Sequence, residues 1–387
     1  MSAANFSNSG TLEAITGGNL VIQGPANSFT NYNSTTNTLT GGSYTANSGN
    51  IYFTGSASGI TTLSAKVTQE KTGQLINVTT GANALANLSS ITKGAVLTTQ
   101  TAFTQPGAFS MAGSLNILPS THISVGSITQ IQSNVLTAGQ WVMDTNLTIT
   151  GTPAAVVTNA ATVTLSGGTF KNSVDGSDAF ASLQQNTKSL RVMNFAKFNT
   201  LGSVTNSGTM LVATGCKFTI GGTGTSYTQS TGKTTNDGVV TGAVNVDGGT
   251  YLGAGSITGN VSVGGTSGAT FSVGDAGKSA LVKVSGNYTQ LSTGTLSTAI
   301  GGTTVGTQFS QLQVTNPGVV QLAGKLTAPV ISGFVPTVGQ TFTVISAVSV
   351  NGTFSNSTIA INSSEHFAIS YSAQTVVLTV TSGPAEF

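Results

Sequence analysis

The densest cluster of side chains that could carry out acid–base chemistry lies between residues 171 and 191. Asp175 and Asp178 supply two carboxylates, and the basic residues around them are Lys171, Lys188 and Arg191. A pair of carboxylates can act as general acid and general base on a glycosidic bond. The cluster is therefore the candidate catalytic site of the sequence.

An internal repeat gives a second interpretation of these aspartates. Residues 80–93 align with 175–188, and the alignment places Thr80 and Asn83 opposite Asp175 and Asp178. Because Asp and Asn both favour turns, we interpret the cluster as a solvated loop with turn-forming aspartates, and keep catalysis as the alternative. Three further aspartates adjoin a glycine and are also predicted in turns: Asp237, Asp247 and Asp275.

The two histidines and the single cysteine do not suggest a metal site. His122 precedes Ile123 on a predicted strand and should point outward, and His366 begins a strand near the carboxyl end. A metal ion needs several convergent ligands, which the sequence does not bring together. Cys216 shares a strand face with Phe218 and should be a buried, inert thiol.

The remaining motifs do not fit known ligand-binding patterns. The glycine runs 221–229 and 264–271 lack the aspartate of the calcium-binding nonapeptide, and neither fits a phosphate-binding loop. Trp141 aligns with Tyr44 and could stack on a sugar ring, although a bulky side chain at a corner of the fold is the preferred interpretation. We predict no catalytic residue, no cofactor and no metal.

The composition limits the class of protein. The chain has 387 residues, of which 38% are hydrophobic and 6% are charged, with a net charge of +2. A charge spread so thinly predicts no basic stripe for nucleic acid, and no run of 18 apolar residues predicts a membrane span. Helical bundles need more Glu, Lys and Arg than this chain has. An all-β protein with hydroxyl and amide side chains on its surface is predicted.

Self-comparison reveals a long repeat. Residues 103–126 align with 198–221 at an offset of 95, and FSNSGTL (6–12) resembles part of both. A unit of roughly 95–100 residues is therefore used about twice, after a partial copy. Within it, ANALANLSSI (82–91) aligns near SDAFASLQQN (177–186), and we predict a helical turn on a loop that leaves the main fold.

A shorter pattern of apolar alternation followed by turn residues dominates after residue 238. It occurs in VNVDG (244–248), VSVGG (261–265), VKVSG (282–286) and LQVTN (312–316). Short strands separated by turns are typical of the coils of a parallel β-solenoid, in which stacking closes the core. About 15–19 coils, forming a rod of about 70–90 Å, are predicted. Six valines should face one core: Val244, Val246, Val261, Val263, Val282 and Val284.

The predicted domains follow from these repeats. A β-solenoid covers 1–325, in units of about 6–102, 103–200 and 201–325, and a β-rich cap or assembly segment covers 326–382. Residues 383–387 are predicted to be a tail. MSAANFSNSG has no signal-peptide pattern, so Met1 is expected to start a mature chain, and SGPAEF (382–387) resembles a linker.

Both ends of the solenoid are predicted to take part in self-association. FSNSGTL is strand-like and uncharged, and TVVLTV (375–380) is an uncharged β-branched strand. Because an unpaired strand edge can extend a neighbour's sheet, we predict that TVVLTV lies at an open edge and that chains associate head-to-tail.

The segments GTYLGAGSITGNVSVGG (249–265), KLTAPVISGFVPTVGQTFTVISAVSVNGTFS (325–355) and FAISYSAQTVVLTV (367–380) carry a family resemblance. Over about residues 200–380 the chain resembles the secreted passenger regions of bacterial autotransporters and filamentous-haemagglutinin-type adhesins. The resemblance implies a right-handed parallel β-helix that is exported and displayed on the bacterial cell surface. Autotransporters continue into a membrane barrel, so we expect either that a barrel was removed from this chain or that the protein is released or polymerises.

Three functions are compared. The leading hypothesis is a non-catalytic, extracellular structural or adhesive protein, whose partners are further copies of itself or a surface glycan. The alternative is a polysaccharide-binding or polysaccharide-degrading enzyme at the Asp175–Arg191 cluster. Ice binding is the third, suggested by the threonine pairs TLT (38–40), TIT (148–150) and TVT (162–164).

Overall fold

The structure is a computed structural model that describes residues 5–22, 24, 28–266 and 268–383. Strands make up 51% of the chain, and the helical structure within the described residues is a single 3-10 turn, Ala179–Ser182. The all-β class predicted from the composition is confirmed. Met1 and residues 384–387 of the predicted tail lie outside the described residues.

The chain divides into two compact units, Met1–Leu183 and Gln184–Phe387. The strands of the first unit are β1 (Thr11–Ile15), β2 (Leu20–Ile22), β3 (Tyr32–Asn33), β4 (Thr38–Asn47), β5 (Ile51–Phe53), β6 (Thr62–Glu70), β7 (Leu75–Asn77), β8 (Ala82–Asn83), β9 (Ser90–Ile91) and β10 (Val96–Thr99). They continue as β11 (Phe103–Met111), β12 (Ser114–Ile117), β13 (Ile123–Ile128), β14 (Ile131–Gln132), β15 (Val135–Leu136), β16 (Gln140–Met143), β17 (Leu147–Ile149), β18 (Thr158–Asn159), β19 (Thr162–Leu165) and β20 (Phe170–Asn172).

The first unit is organised around a long parallel ladder of strands. This ladder joins β1, β4, β6, β10, β12, β16 and β19. Alternate side chains of each strand point inward, so large residues in register stack into one buried column. The column contains Tyr44, Val67, Leu97, Leu115, Trp141 and Val163. Smaller parallel ladders join β2, β5 and β7, and β11, β13, β17 and β20.

The second unit begins with β21 (Gln185–Asn186), β22 (Ser189–Val192), β23 (Lys197–Thr200), β24 (Val204–Asn206), β25 (Thr209–Val212), β26 (Lys217–Ile220), β27 (Ser226–Gln229), β28 (Lys233–Asn236), β29 (Val239–Thr241), β30 (Ala243–Val246), β31 (Gly249–Gly253), β32 (Ser256–Thr258) and β33 (Val261–Val263). It continues with β34 (Ala269–Val273), β35 (Leu281–Val284), β36 (Tyr288–Gln290), β37 (Gly294–Thr298), β38 (Gln311–Val314), β39 (Val320–Leu322), β40 (Lys325–Thr327), β41 (Thr341–Ser346), β42 (Val350–Gly352), β43 (Thr358–Ala360), β44 (Glu365–Tyr371) and β45 (Thr375–Ser382).

From β21 to β42, every third strand joins the same parallel ladder. The first ladder runs from β21 through β24 and β27 to β42, the second from β22 through β25 and β28 to β40, and the third from β23 through β26 and β29 to β41. Three strands therefore form one repeating coil. This regular return to three parallel ladders agrees with the predicted β-solenoid.

The valines predicted to face the core are all buried. Val244 and Val261 are register neighbours in the first ladder, as the alternation predicted. The shared pattern of VSVGG and VKVSG does not make them neighbours in one ladder. Val282 and Val284 belong to the third ladder, where they pair with LQV (312–314), and the strand beside Val261 is β36. Alternation identifies a strand but does not say which of three ladders it joins.

The 95-residue repeat marks equivalent positions in the strand register. Phe103 pairs with Ile123, and their aligned counterparts Phe198 and Phe218 also pair. The Phe198 and Phe218 rings stack with centroids 5.3 Å apart. The predicted domain boundaries at residues 102, 200 and 325 stay predictions.

The prediction of a helical turn on an outlying loop is only half right. Ala179–Ser182 forms a 3-10 turn, but Phe180 and Leu183 are fully buried, as are the aligned Leu85 and Leu88. The apolar residues turn inward because their burial is favourable, so this segment closes the core of its unit. The segment therefore does not leave the main fold.

A four-stranded antiparallel sheet extends the third ladder at the carboxyl end. Its strand order is β41, β45, β44 and β43. TVVLTV therefore lies inside a sheet, because β45 pairs with β41 on one side and β44 on the other. The prediction that TVVLTV is an open edge is wrong. The edge strand of this sheet is β43, Thr358–Ala360.

Candidate functional site

The two aspartates of the predicted cluster are used by their own turn. The Asp178 Oδ1 atom accepts hydrogen bonds from the Phe180 amide at 2.9 Å and from the Thr169 hydroxyl at 2.7 Å. Asp175 Oδ1 accepts from the Ser177 amide at 2.9 Å. The Ser177 side chain and amide hold the pKa of Asp175 below its usual value. A general acid at neutral pH needs the opposite shift.

The aligned copy shows that the turn does not require a carboxylate. Asn83 Oδ1 accepts from the Leu85 amide at 3.0 Å, which is the same role that Asp178 plays toward Phe180. Lys171 Nζ donates to the Gly176 carbonyl oxygen at 3.1 Å and belongs to the same turn. These contacts agree with the turn interpretation of this segment. Lys188 and Arg191 lie in the second unit, where both are exposed.

The other aspartates have varied surroundings. Asp237 Oδ1 accepts from the Ala254 amide at 3.0 Å, so this carboxylate links two segments 17 residues apart. The carbonyl oxygen of Asp275 accepts from the Lys278 amide at 3.0 Å in a short turn. Asp247 is exposed.

The histidines and the cysteine occupy separate places. His122 is exposed just before β13, as predicted. In β44, His366 Nδ1 lies 2.9 Å from the Gly383 carbonyl oxygen and Nε2 lies 2.9 Å from Thr381 Oγ1. Cys216 is a buried free thiol. Within the part of the chain that the structure describes, no three His, Cys, Asp or Glu residues are grouped to hold a metal ion.

The aromatic residues proposed as sugar platforms are internal. Trp141 is fully buried, donates from Nε1 to the Ala138 carbonyl oxygen at 3.1 Å, and packs edge-on against Phe170. Tyr44 lies in the same column, and burial raises its pKa to about 12. Neither ring can stack on a sugar in solvent.

A buried chain of side-chain amides runs through the first ladder, and the sequence analysis missed it. Asn186 Nδ2 donates to Asn206 Oδ1 at 2.6 Å, and Asn206 Nδ2 donates to Gln229 Oε1 at 2.9 Å. The Tyr227 hydroxyl and the Thr234 hydroxyl complete the cluster around Gln229. Asn206 therefore accepts from one coil and donates to the next, and Gln229 Nε2 donates to the Thr231 carbonyl oxygen, so both amides are paired without water.

A second buried amide lies further along the same ladder. Gln290 Oε1 accepts from the Tyr288 hydroxyl at 2.9 Å, and Gln290 Nε2 donates to the Lys325 carbonyl oxygen at 2.8 Å. Burial raises the pKa of Tyr227, Tyr251 and Tyr288. The sequence signal was a polar residue at an inward position, as in VTN (204–206) and YTQ (227–229). These amides join coils and are closed to substrates.

An asparagine side chain closes the second ladder at its carboxyl end. The Leu326 amide donates to Asn356 Oδ1 at 3.0 Å, and Asn356 Nδ2 donates to the Leu326 carbonyl oxygen at 3.0 Å. The side-chain amide therefore pairs with β40 as the backbone of a next strand would. Both open groups of Leu326 are satisfied by one residue, which removes a site for strand addition.

Some outward rows of the second unit carry only hydroxyls and amides. One register row of the first ladder consists of Thr228, Asn245, Ser262, Thr289 and Gln321. The threonine pairs suggested for ice binding begin in β4, β17 and β19, and β17 belongs to a different ladder from the other two. They do not form one row.

Comparison with known proteins adds no family to this description. No protein-family model matches the chain, and no curated protein matches its sequence. The part of the chain that the structure describes contains no helix with the length and hydropathy of a membrane span.

Proposed function

We propose that this chain is a non-catalytic structural or adhesive protein of the bacterial cell surface, secreted and built as a closed, right-handed parallel β-helix. The proposal keeps the resemblance to autotransporter passengers and filamentous-haemagglutinin-type adhesins. A right-handed closure is expected because strand–crossover–parallel strand connections are right-handed in about 98% of cases.

The observation that carries the proposal is the three-ladder repeat of the second unit. Its inward positions are mostly apolar and include the paired amides, and an outward row such as Thr228, Asn245 and Ser262 is polar but uncharged. A stack of this kind supports a long, hydrated surface without the converging ionisable groups of a catalytic site. A high-resolution experimental structure tests the closure and its hand, and a left-handed or open stack contradicts this part.

We also propose head-to-tail association, with a contact at the carboxyl end other than TVVLTV. TVVLTV is internal, so the carboxyl-end contact would have to use the edge strand β43. Negative-stain microscopy and light scattering of the full chain should show filaments, and a protein that stays monomeric at high concentration refutes the idea. Ala360→Lys places a charge on this exposed edge and should prevent filaments, whereas Ser370→Lys on β44 should not.

The enzymatic alternative is tested separately. Release of oligosaccharides from a panel of plant and microbial polysaccharides, lost in Asp175→Asn or Asp178→Asn, would establish catalysis at the first unit. We expect no release, because Asp178 is engaged by the Phe180 amide and the Thr169 hydroxyl.

A further inference from the structure

The basic side chains of this nearly neutral protein are unevenly distributed. Five of the twelve Lys and Arg residues lie between positions 188 and 233, and the chain has no Asp or Glu between Ala179 and Asn236. All five are exposed: Lys188, Arg191, Lys197, Lys217 and Lys233. The low overall charge predicted no basic stripe for nucleic acid, and this local excess of cations lies in the first three coils of the second unit.

The strand register brings two of these cations together. Lys197 in β23 and Lys217 in β26 are direct partners, so their backbones lie about 4.8 Å apart on neighbouring parallel strands. Like charges placed opposite each other are unfavourable in a sheet. Within the described residues, none of the five side chains hydrogen-bonds or pairs with another side chain. An anion bound between the two ammonium groups would remove their repulsion.

A shallow groove lies on the second ladder, whose strand β22 precedes the Lys197 strand in the chain. Its volume is about 270 Å³, and Arg191 and Lys233 line it together with Leu211, Thr209 and Thr235. In the strand register, Leu211 pairs with Arg191 on one neighbouring strand and with Thr235 on the other. Thr209 pairs with Lys233. The groove therefore has an apolar floor, two cations and three hydroxyls, those of Ser189, Thr209 and Thr235, which suits a sugar ring bearing a carboxylate or sulfate.

Phe195 is exposed at the corner between Arg191 and Lys197. Its ring is 79% exposed, and its backbone has φ +60°, a conformation that disfavours residues other than glycine. A Cβ at Gly215 would collide with the Phe195 ring, so the ring lies over the Gly215 backbone. A solvent-facing phenyl ring on a strained backbone offers a stacking surface for the C–H face of a sugar.

We propose that Phe195, Arg191, Lys197, Lys217 and Lys233 form a binding face for an acidic polysaccharide. The choice of ligand rests on the proposed extracellular adhesive role. A few cations beside a hydroxyl-lined groove and a single ring fit a chain with spaced anionic groups. A nucleic acid would need a longer row of phosphate contacts, and it becomes an outcome of the test.

The test measures binding of the full chain to fluorescently labelled heparin and polygalacturonate, with dextran and duplex DNA as comparisons. Both acidic polysaccharides are expected to bind, more weakly as salt increases, and dextran is not. Lys197→Glu with Lys217→Glu should weaken binding at least tenfold. The matched control, Lys283→Glu with Lys325→Glu, changes the net charge equally at exposed strand positions of the same unit and should weaken it less than twofold.

Phe195→Gly separates binding from folding. Glycine suits the positive φ, so the unfolding midpoint should not fall, while affinity should drop severalfold. Equal losses in the two charge-reversal pairs, unchanged affinity in Phe195→Gly, or tighter binding of duplex DNA would each overturn the proposal. The proposed structural or adhesive function is tested separately, by negative-stain microscopy and by the polysaccharide-release assay, and does not depend on these affinities.

Discussion

Replacing Asn206 with Asp is the most informative test of the buried amide chain. The side chain is fully buried, accepts from Asn186 through Oδ1, and donates through Nδ2 to Gln229 Oε1 at 2.9 Å and Thr234 Oγ1 at 3.3 Å. Asp keeps the acceptor but replaces the donor with a second oxygen. An ionised carboxylate would then face the Gln229 acceptor without a partner.

The loss in the free energy of unfolding follows from the pKa of the introduced carboxyl. Burial disfavours the charged form, so the folded-state pKa rises above the unfolded value of about 3.9. If it rises to 7 or above, holding the carboxyl neutral at pH 7 costs about 4 kcal/mol, at about 1.36 kcal/mol for each pH unit. This is a large part of the 5–15 kcal/mol that stabilises typical domains.

The pH dependence has a definite sign. Below the unfolded pKa both states are protonated, and a neutral carboxyl can donate to Gln229 as the amide did. The loss should therefore be small at pH 3.5 and grow as the pH rises through 3.9 toward the folded pKa. Chemical denaturation of variant and parent at pH 3.5 and pH 7 measures it. Asn199→Asp, at an exposed strand position of the same unit, is the control and should be nearly neutral.

A loss in Asn206→Asp that is independent of pH, or below about 1 kcal/mol at pH 7, would refute the reasoning. It would mean that the amide is hydrated or that its neighbours rearrange.

Further predictions concern other parts of the fold. Val263→Asp buries an unpaired carboxylate and should cost several kcal/mol at pH 7, and a melting temperature equal to the parent's would show that Val263 does not face the core. Asn356→Ala leaves both backbone groups of β40 open and should lower stability by about 1–3 kcal/mol in denaturation, whereas the exposed Asn351→Ala should not. Asp178→Ala should cost about 0.5–2 kcal/mol through loss of the cap, and Asp178→Asn should cost little; equal costs would contradict the capping role. Tyr227 has a raised pKa when folded, so its contribution is complete below pH 10 and declines above it as the unfolded chain ionises. Absorbance at 295 nm, which reports tyrosine ionisation, should therefore rise together with unfolding. Ionisation of every tyrosine while the chain is still folded would contradict the burial of Tyr227.

The local pattern of the sequence was sufficient for the secondary structure and for much of the core. Alternation placed Val244, Val261 and Val284 inward, because side chains of a strand point to opposite faces and one face must be buried. The copy alignment also identified Asp178 as a turn residue, since Asn83 performs the same hydrogen bonding. These inferences depend only on neighbours in the chain.

Contacts between coils could not be predicted in the same way. The sequence did not show that VKV belongs to a different ladder from VSV, that TVVLTV lies between two strands, or that Asn206 and Gln229 pair inside the core. It also did not show that Lys197 and Lys217 lie side by side. Partners in a parallel ladder are separated by a whole coil of variable length, so the register depends on every intervening turn. Local alternation determined which residues are inside, and the tertiary structure alone decided which of them meet.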